Sequence, residues 1–199
     1  MARPAPDGLS RGPMERTPPK ASSVLADGQP DTWISPRCWR AQVAPDGSTR
    51  IVVYVPAEEL PDWHLRLIQA MGAPFGVAYM QLTDRRVGSP HPVPQRYVGI
   101  EQPAEKVVEA LKQAGDLIWY DGRHQIWVRG AFGEQVVLDE LGVLYCYPDD
   151  PSFRDALLEL PESTATGMDS RDYVKVHFRA EADAQELQLI QALHLTKVG

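Results

Sequence analysis

The sequence predicts an α+β domain on a mainly antiparallel sheet, and three observations carry that expectation. Short apolar runs rich in β-branched residues recur along the chain, separated by turn residues such as Pro45-Asp46-Gly47-Ser48 and Asp121-Gly122. Such turns join strands as hairpins, so neighbouring strands run antiparallel. Between them lie segments of helical period, three of which open on a proline (Pro61, Pro103 and Pro151), the residue favoured at the first helical position. Antiparallel strands with helices on one face give about nine strands and about four helices.

The elements follow in order. Residues 1–30 hold six of the 18 prolines and almost no large apolar side chain. They cannot bury enough surface to offset their ordering entropy and read as a disordered tail, with the α+β domain over 31–199. Residues 37–43 and 50–55 form a hairpin around Asp46-Gly47. A helix runs from Pro61 to Gly72 with Leu60, His64, Leu67, Ile68 and Met71 on one stripe. Strands follow at 75–82 and 96–101, then a helix from Pro103 to Gly115 with Val107, Val108, Leu111 and Ala114 inward. Residues 117–120 and 124–129 read as strands joined by Asp121-Gly122. The stretch from Glu134 to Tyr147 reads as another hairpin. Asp150 caps a third helix reaching about Leu160. A strand at 173–178 and a helix at 182–193, inward through Leu187, Ile190 and Leu193, complete the chain.

Composition narrows the function. The 199 residues are 43% hydrophobic and carry a formal charge of -7. No apolar stretch approaches the roughly 18 residues of a membrane span. Two cysteines make no disulfide framework. An acidic balance disfavours nucleic-acid binding, which needs clustered Lys and Arg on phosphates. Fifteen Arg against five Lys, with abundant Ala, Pro and Gly, point to a GC-rich bacterial source and a cytoplasmic protein.

Catalytic signatures are few. The chain lacks GxxxxGK[ST], HExxH, CxxC, GxSxG and GxGxxG. The five histidines have no ligand spacing, so no metal is expected. Cys146 sits in an apolar run, with His124 or His177 as the bases it would need as a nucleophile; burial would instead make it inert. Cys38, between Arg37 and Arg40, has a setting that favours the thiolate. Trp119 and Trp127 read as a cross-strand pair, either in the core or as an exposed anchor.

Arg129-Gly130-Ala131-Phe132-Gly133-Glu134 resembles the pyrophosphate loop of GNAT-type acyltransferases. That resemblance implies coenzyme A held by Arg129, Gly130 and Gly133, with Tyr145 or Cys146 near the chemistry. The family follows this loop with a helix, whereas Val136 and Val137 favour a strand.

Charge placement supports a different reading. From Glu134 to Asp169 there are nine acidic residues and one basic residue, Arg154. Asp149, Asp150 and Asp155 complement a helix N-terminus; the remainder read as an acidic face that steers a basic protein. Opposite in sign is the proline-stiffened loop with Arg85, Arg86 and His91, suited to protein recognition. The sequence therefore predicts a non-catalytic protein-binding module without cofactor. It would be an inhibitor or immunity-like partner of a basic protein through Glu134, Asp139, Glu140, Asp149, Asp150, Arg85, Arg86 and His91. The acyltransferase is the alternative.

Overall fold

Turn chemistry lays down the sheet. In the structure, a computed structural model describing residues 18–25, 27–29, 31, 34–43, 46–84, 94–164 and 174–198, the Asp46 carboxylate accepts the Ser48 N–H at 3.0 Å and the Ser48 hydroxyl at 2.6 Å. Gly47 sits at φ 84°, a conformation glycine adopts without strain. The strands are β1 (Ala21–Ser23), β2 (Cys38–Val43), β3 (Thr49–Tyr54), β4 (Phe75–Gln81), β5 (Gln95–Gln102), β6 (His124–Arg129), β7 (Gln135–Leu138), β8 (Leu144–Tyr147), β9 (Val174–Val176) and β10 (Thr196–Val198). The helices are α1 (Leu60–Gln69), α2 (Ala104–Gln113), α3 (Gly115–Tyr120), α4 (Pro151–Ala156) and α5 (Ala182–Ala192).

Eight strands form one sheet in the order β10-β5-β4-β6-β7-β8-β3-β2, with every neighbour antiparallel. A second, two-stranded sheet pairs β1 with β9. The chain is thus α+β, as its sequence predicts. Ile51, Val53, Val77, Ile126, Val136 and Leu144 face the helices and join Leu67, Ile68, Leu111, Leu117 and Leu189 in one core. Removing this apolar surface from water is the main stabilising term.

Six sequence expectations are corrected. Residues 117–120 are not a strand: Gly115–Tyr120 is helix α3, with Leu117, Ile118 and Trp119 buried. Trp119 and Trp127 therefore are not a cross-strand pair. Asp121-Gly122 makes no hairpin. Asp121 is buried and accepts from the Arg123 N–H, the Arg123 guanidinium and the Arg179 N–H. Gly122 packs so tightly that a Cβ there would lie 2.1 Å from Val176 Cγ1 and 2.9 Å from the Lys20 carbonyl oxygen.

Within the segment read as a tail, Lys20 is buried and Ala21–Ser23 forms β1; residues 1–17 lie outside the described residues. In α5 the inward stripe runs through Glu186, Leu189 and Leu193, and Leu187 is 51% exposed. In α2, Ala110 is buried with Val107, Leu111 and Ala114, and Val108 is half-buried.

Candidate functional site

The expected acidic face is largely occupied within the molecule. Asp139, 8% exposed, accepts the Leu141 N–H at 2.9 Å, the Val143 N–H at 2.8 Å and the Tyr145 hydroxyl at 3.3 Å. It shapes the β7–β8 turn, and loss of water pushes its carboxyl up to about 6. Glu140 accepts from the Gln125 side-chain amide at 2.7 Å. Asp149 holds Arg154 through two bonds of 2.7 and 2.6 Å. Asp150 caps α4 by accepting the Ser152 N–H at 2.8 Å. Glu134 accepts the Phe132 N–H at 3.1 Å. Arg85, Arg86 and His91 lie outside the described residues.

The Arg129–Glu134 loop is the turn of a β-hairpin. Arg129 pairs with Gln135, and the Gly130 N–H donates to the Glu134 carbonyl at 2.7 Å. The strand β7 stands where a coenzyme-binding loop would need a helix N-terminus, so Arg129, Gly130 and Gly133 have no helix dipole to share. Gly130 has a packing reason: a Cβ there would meet Glu134 Oε2 at 2.6 Å and the Gly72 carbonyl oxygen at 3.0 Å.

Neither thiol is activated. Burial pushes the Cys146 thiol far up, and at Cys38 burial outweighs the attraction of Arg40 for the thiolate. The histidines bond elsewhere. His177 Nε2 lies 2.6 Å from the Ser22 hydroxyl. His124 stacks on Tyr79 at 5.0 Å between ring centres and lies 3.4 Å from Lys20 Nζ.

A polar network threads the core beneath β4 and β6. Lys20 Nζ donates to the Ile118 carbonyl at 3.2 Å, and its ammonium is pushed down to about 8 by loss of water. The Tyr79 hydroxyl donates to Glu186 Oε1 at 2.5 Å, and the Gln81 amide donates to the same oxygen at 2.9 Å. Trp119 Nε1 donates to His64 Nδ1 at 3.1 Å, which places the neutral imidazole proton on Nε2. Burial, with the nearby Lys20 charge, pulls His64 down to about 3. These groups are closed to solvent and specify how β4, α3 and α5 fit together.

The helix-free face of the sheet is chemically distinct, buried at Arg40, Val52 and Val137 and exposed at Arg96, Trp127 and Arg129. Pleating sends alternate strand residues to opposite faces. One row of cross-strand partners crosses seven strands on that face: Val98, Ala78, Trp127, Val137, Tyr145, Val52 and Arg40. Beside it, Gly76, Arg129, Gln135 and Tyr147 lead to Arg50 and Gln42. On the other flank Arg96, Met80 and Gln125 are aligned. The face thus carries Arg50, Arg96 and Arg129, with Arg40 buried at one end and the carboxylates of Asp139 and Glu140 bonded to Tyr145 and Gln125 at its edge.

Its side chains are held in place. Arg50 donates to the Tyr147 hydroxyl at 2.7 Å and to Gln42 Oε1 at 2.9 Å, with its guanidinium 4.7 Å from the Tyr145 ring centre. Cys38, Val52 and Tyr54 pack with Val143 and Tyr145 as a small apolar floor. Trp127 is 36% exposed, its indole N–H donating to Gln125 Oε1 at 3.2 Å. Arg96 and Arg129 are exposed and form no ion pair among the described residues. Sequence reasoning missed this site, although the alternation of Arg40 with Gln42, and of Gln125, Trp127 and Arg129, was its signal.

No protein-family model, curated protein or solved structure matches the chain. The candidate site therefore rests on geometry. Among the described residues no group of three or more His, Cys, Asp or Glu is placed to hold a metal, and no helix is long and apolar enough to cross a membrane.

Proposed function

We propose that the protein is a binding module that captures an acidic segment of another protein on the helix-free face of its sheet. The observation that carries this reading is the face itself: Arg50, Arg96 and Arg129 around Trp127, Tyr145 and Tyr147, with its two nearby carboxylates, Asp139 and Glu140, already hydrogen-bonded within the molecule. Trp, Tyr and Arg are the residues that carry most binding energy at protein interfaces. The Arg50–Tyr145–Tyr147 cluster is ordered before any partner arrives, which lowers the entropy cost of association. A net charge of -7 repels a long polyanion such as nucleic acid, while a short acidic segment feels mainly the local arginines.

This keeps the protein-binding class expected from the sequence and inverts the sign of the partner. The acidic residues that suggested a basic partner stabilise turns, a helix cap and an internal ion pair.

The test is native mass spectrometry of the protein purified gently from its own host, compared among variants. A co-purifying protein is expected to be lost from Arg129→Glu and weakened about thirtyfold in Trp127→Ala, the scale of a hot-spot truncation of about 2 kcal/mol. It should be retained in Glu140→Lys and Asp155→Lys. Loss in the latter pair with retention in Arg129→Glu would return the site to the acidic surface. A protein without any partner under these conditions would overturn the binding-module reading.

A further inference from the structure

Away from the sheet face, a cleft of about 480 Å³ opens where the β1–β9 pair meets the start of α5. Its volume lies within the range of small-molecule sites, about 300–1,000 Å³. Three cations line it: Arg123, Lys175 and Arg179. The one carboxylate among the lining residues, Asp183, is neutralised by an ion pair with Arg123. Asp121, behind the cleft, clamps the buried Arg123 guanidinium from the other side at 2.9 and 3.0 Å.

Of the remaining donors, Arg179 and His177 are held by neighbours. The Arg179 guanidinium lies 5.5 Å from the Tyr120 ring centre. The exposed Glu181 forms a loose ion pair with it at 3.8 Å, too far for a hydrogen bond. Exposed Lys175 stands directly across the strand pair from Ser22. Ser22 fixes the His177 imidazole through the 2.6 Å contact, and His177 also lines the cleft.

The Arg123 guanidinium is already filled by Asp121 and Asp183, which leaves Lys175 and Arg179 as the two cations that can pair with a ligand. With them in the lining stands the His177 imidazole, held by Ser22. That arrangement matches a tetrahedral oxyanion carrying about two negative charges. We propose that this cleft binds the phosphoryl group of a small phosphorylated molecule. Lys175 and Arg179 neutralise the phosphoryl oxygens, and the cleft volume beyond them accommodates the rest of the ligand. The inference is independent of the sheet face.

The test uses the full chain and three probes: inorganic phosphate, glucose 6-phosphate and a phosphoserine peptide, each against sodium chloride at equal ionic strength. Calorimetric titration should show phosphate binding, and glucose 6-phosphate binding more tightly. Lys175→Ala and Arg179→Ala should each weaken both by about tenfold, the scale of one charge-assisted hydrogen bond. Neither side chain belongs to the apolar core, and the melting curve without ligand verifies that each variant folds. Arg129→Glu, on the sheet face, should bind phosphate unchanged. Absence of any effect beyond chloride, or binding retained in Lys175→Ala/Arg179→Ala, would overturn the site. A phosphoserine peptide that binds more tightly than glucose 6-phosphate would overturn the small-molecule assignment.

Discussion

At the scale of single residues, the strongest constraints fall on groups that composition treats as ordinary. Gly122 faces backbone oxygens and a valine methyl at distances no Cβ tolerates. Gly122→Ala is expected to destabilise by about 3 kcal/mol, the upper range of overpacking, as measured by urea unfolding. The buried histidines set the acid limb of stability. His64 is held down to about 3 and His124 well below its ordinary value, chiefly by burial. Below pH 6.5 the unfolded chain takes up protons that the fold refuses, so stability falls as pH drops, by about 1.4 kcal/mol per unit for each histidine. Asp139, raised to about 6, has the opposite sign: between pH 6 and its ordinary 3.8 the folded state binds the extra proton and gains stability. His64→Gln should make the acid limb shallower; an unchanged slope in urea unfolding at pH 6 and 4 would contradict the assignment.

Elements are where the sequence was partly readable. The mainly antiparallel sheet, the Asp46-Gly47 hairpin and the Pro61, Pro103 and Pro151 helix starts were legible because each rests on local chemistry, whereas the strand order was not. The face of α5 was not. Apolar periodicity selected Leu187, yet the buried positions are Glu186 and Leu189, because the Glu186 carboxylate meets Tyr79 and Gln81 across the core. A tertiary hydrogen bond has no local signature. Leu189→Ala should therefore cost about 3 kcal/mol and Leu187→Ala less than about 1 kcal/mol, read from chemical denaturation midpoints. Helix α3 was hidden for a similar reason. Asp121-Gly122 reads as a tight turn, while its real work is the clamp on Arg123 and the passage of β1 and β9 over a residue without a side chain. The helix-free sheet face escaped notice because charge was counted along the chain and not by alternate positions.

The whole molecule separates two surfaces by chemistry: an arginine–aromatic sheet face and, near the β1–β9 pair, a smaller cationic cleft. Each has its own variants, so losing one activity should leave the other intact. Capture of a partner through Arg129 should weaken as salt rises, since Arg96 and Arg129 lie exposed; a binding constant unchanged between low and high ionic strength would contradict an electrostatic role. The β1–β9 pair also governs the order of events during synthesis. Ser22 bonds to a histidine 155 residues further along the chain. A ribosome adding about 5–20 residues per second delivers that partner many seconds after Lys20 has emerged. Until then the ammonium destined for the core stays in water, and the hollow between α3 and β6 stands open. The protein thus completes this part of its interior only after β9 has been made, so a chain arrested before β9 lacks the strand that holds β1 in place.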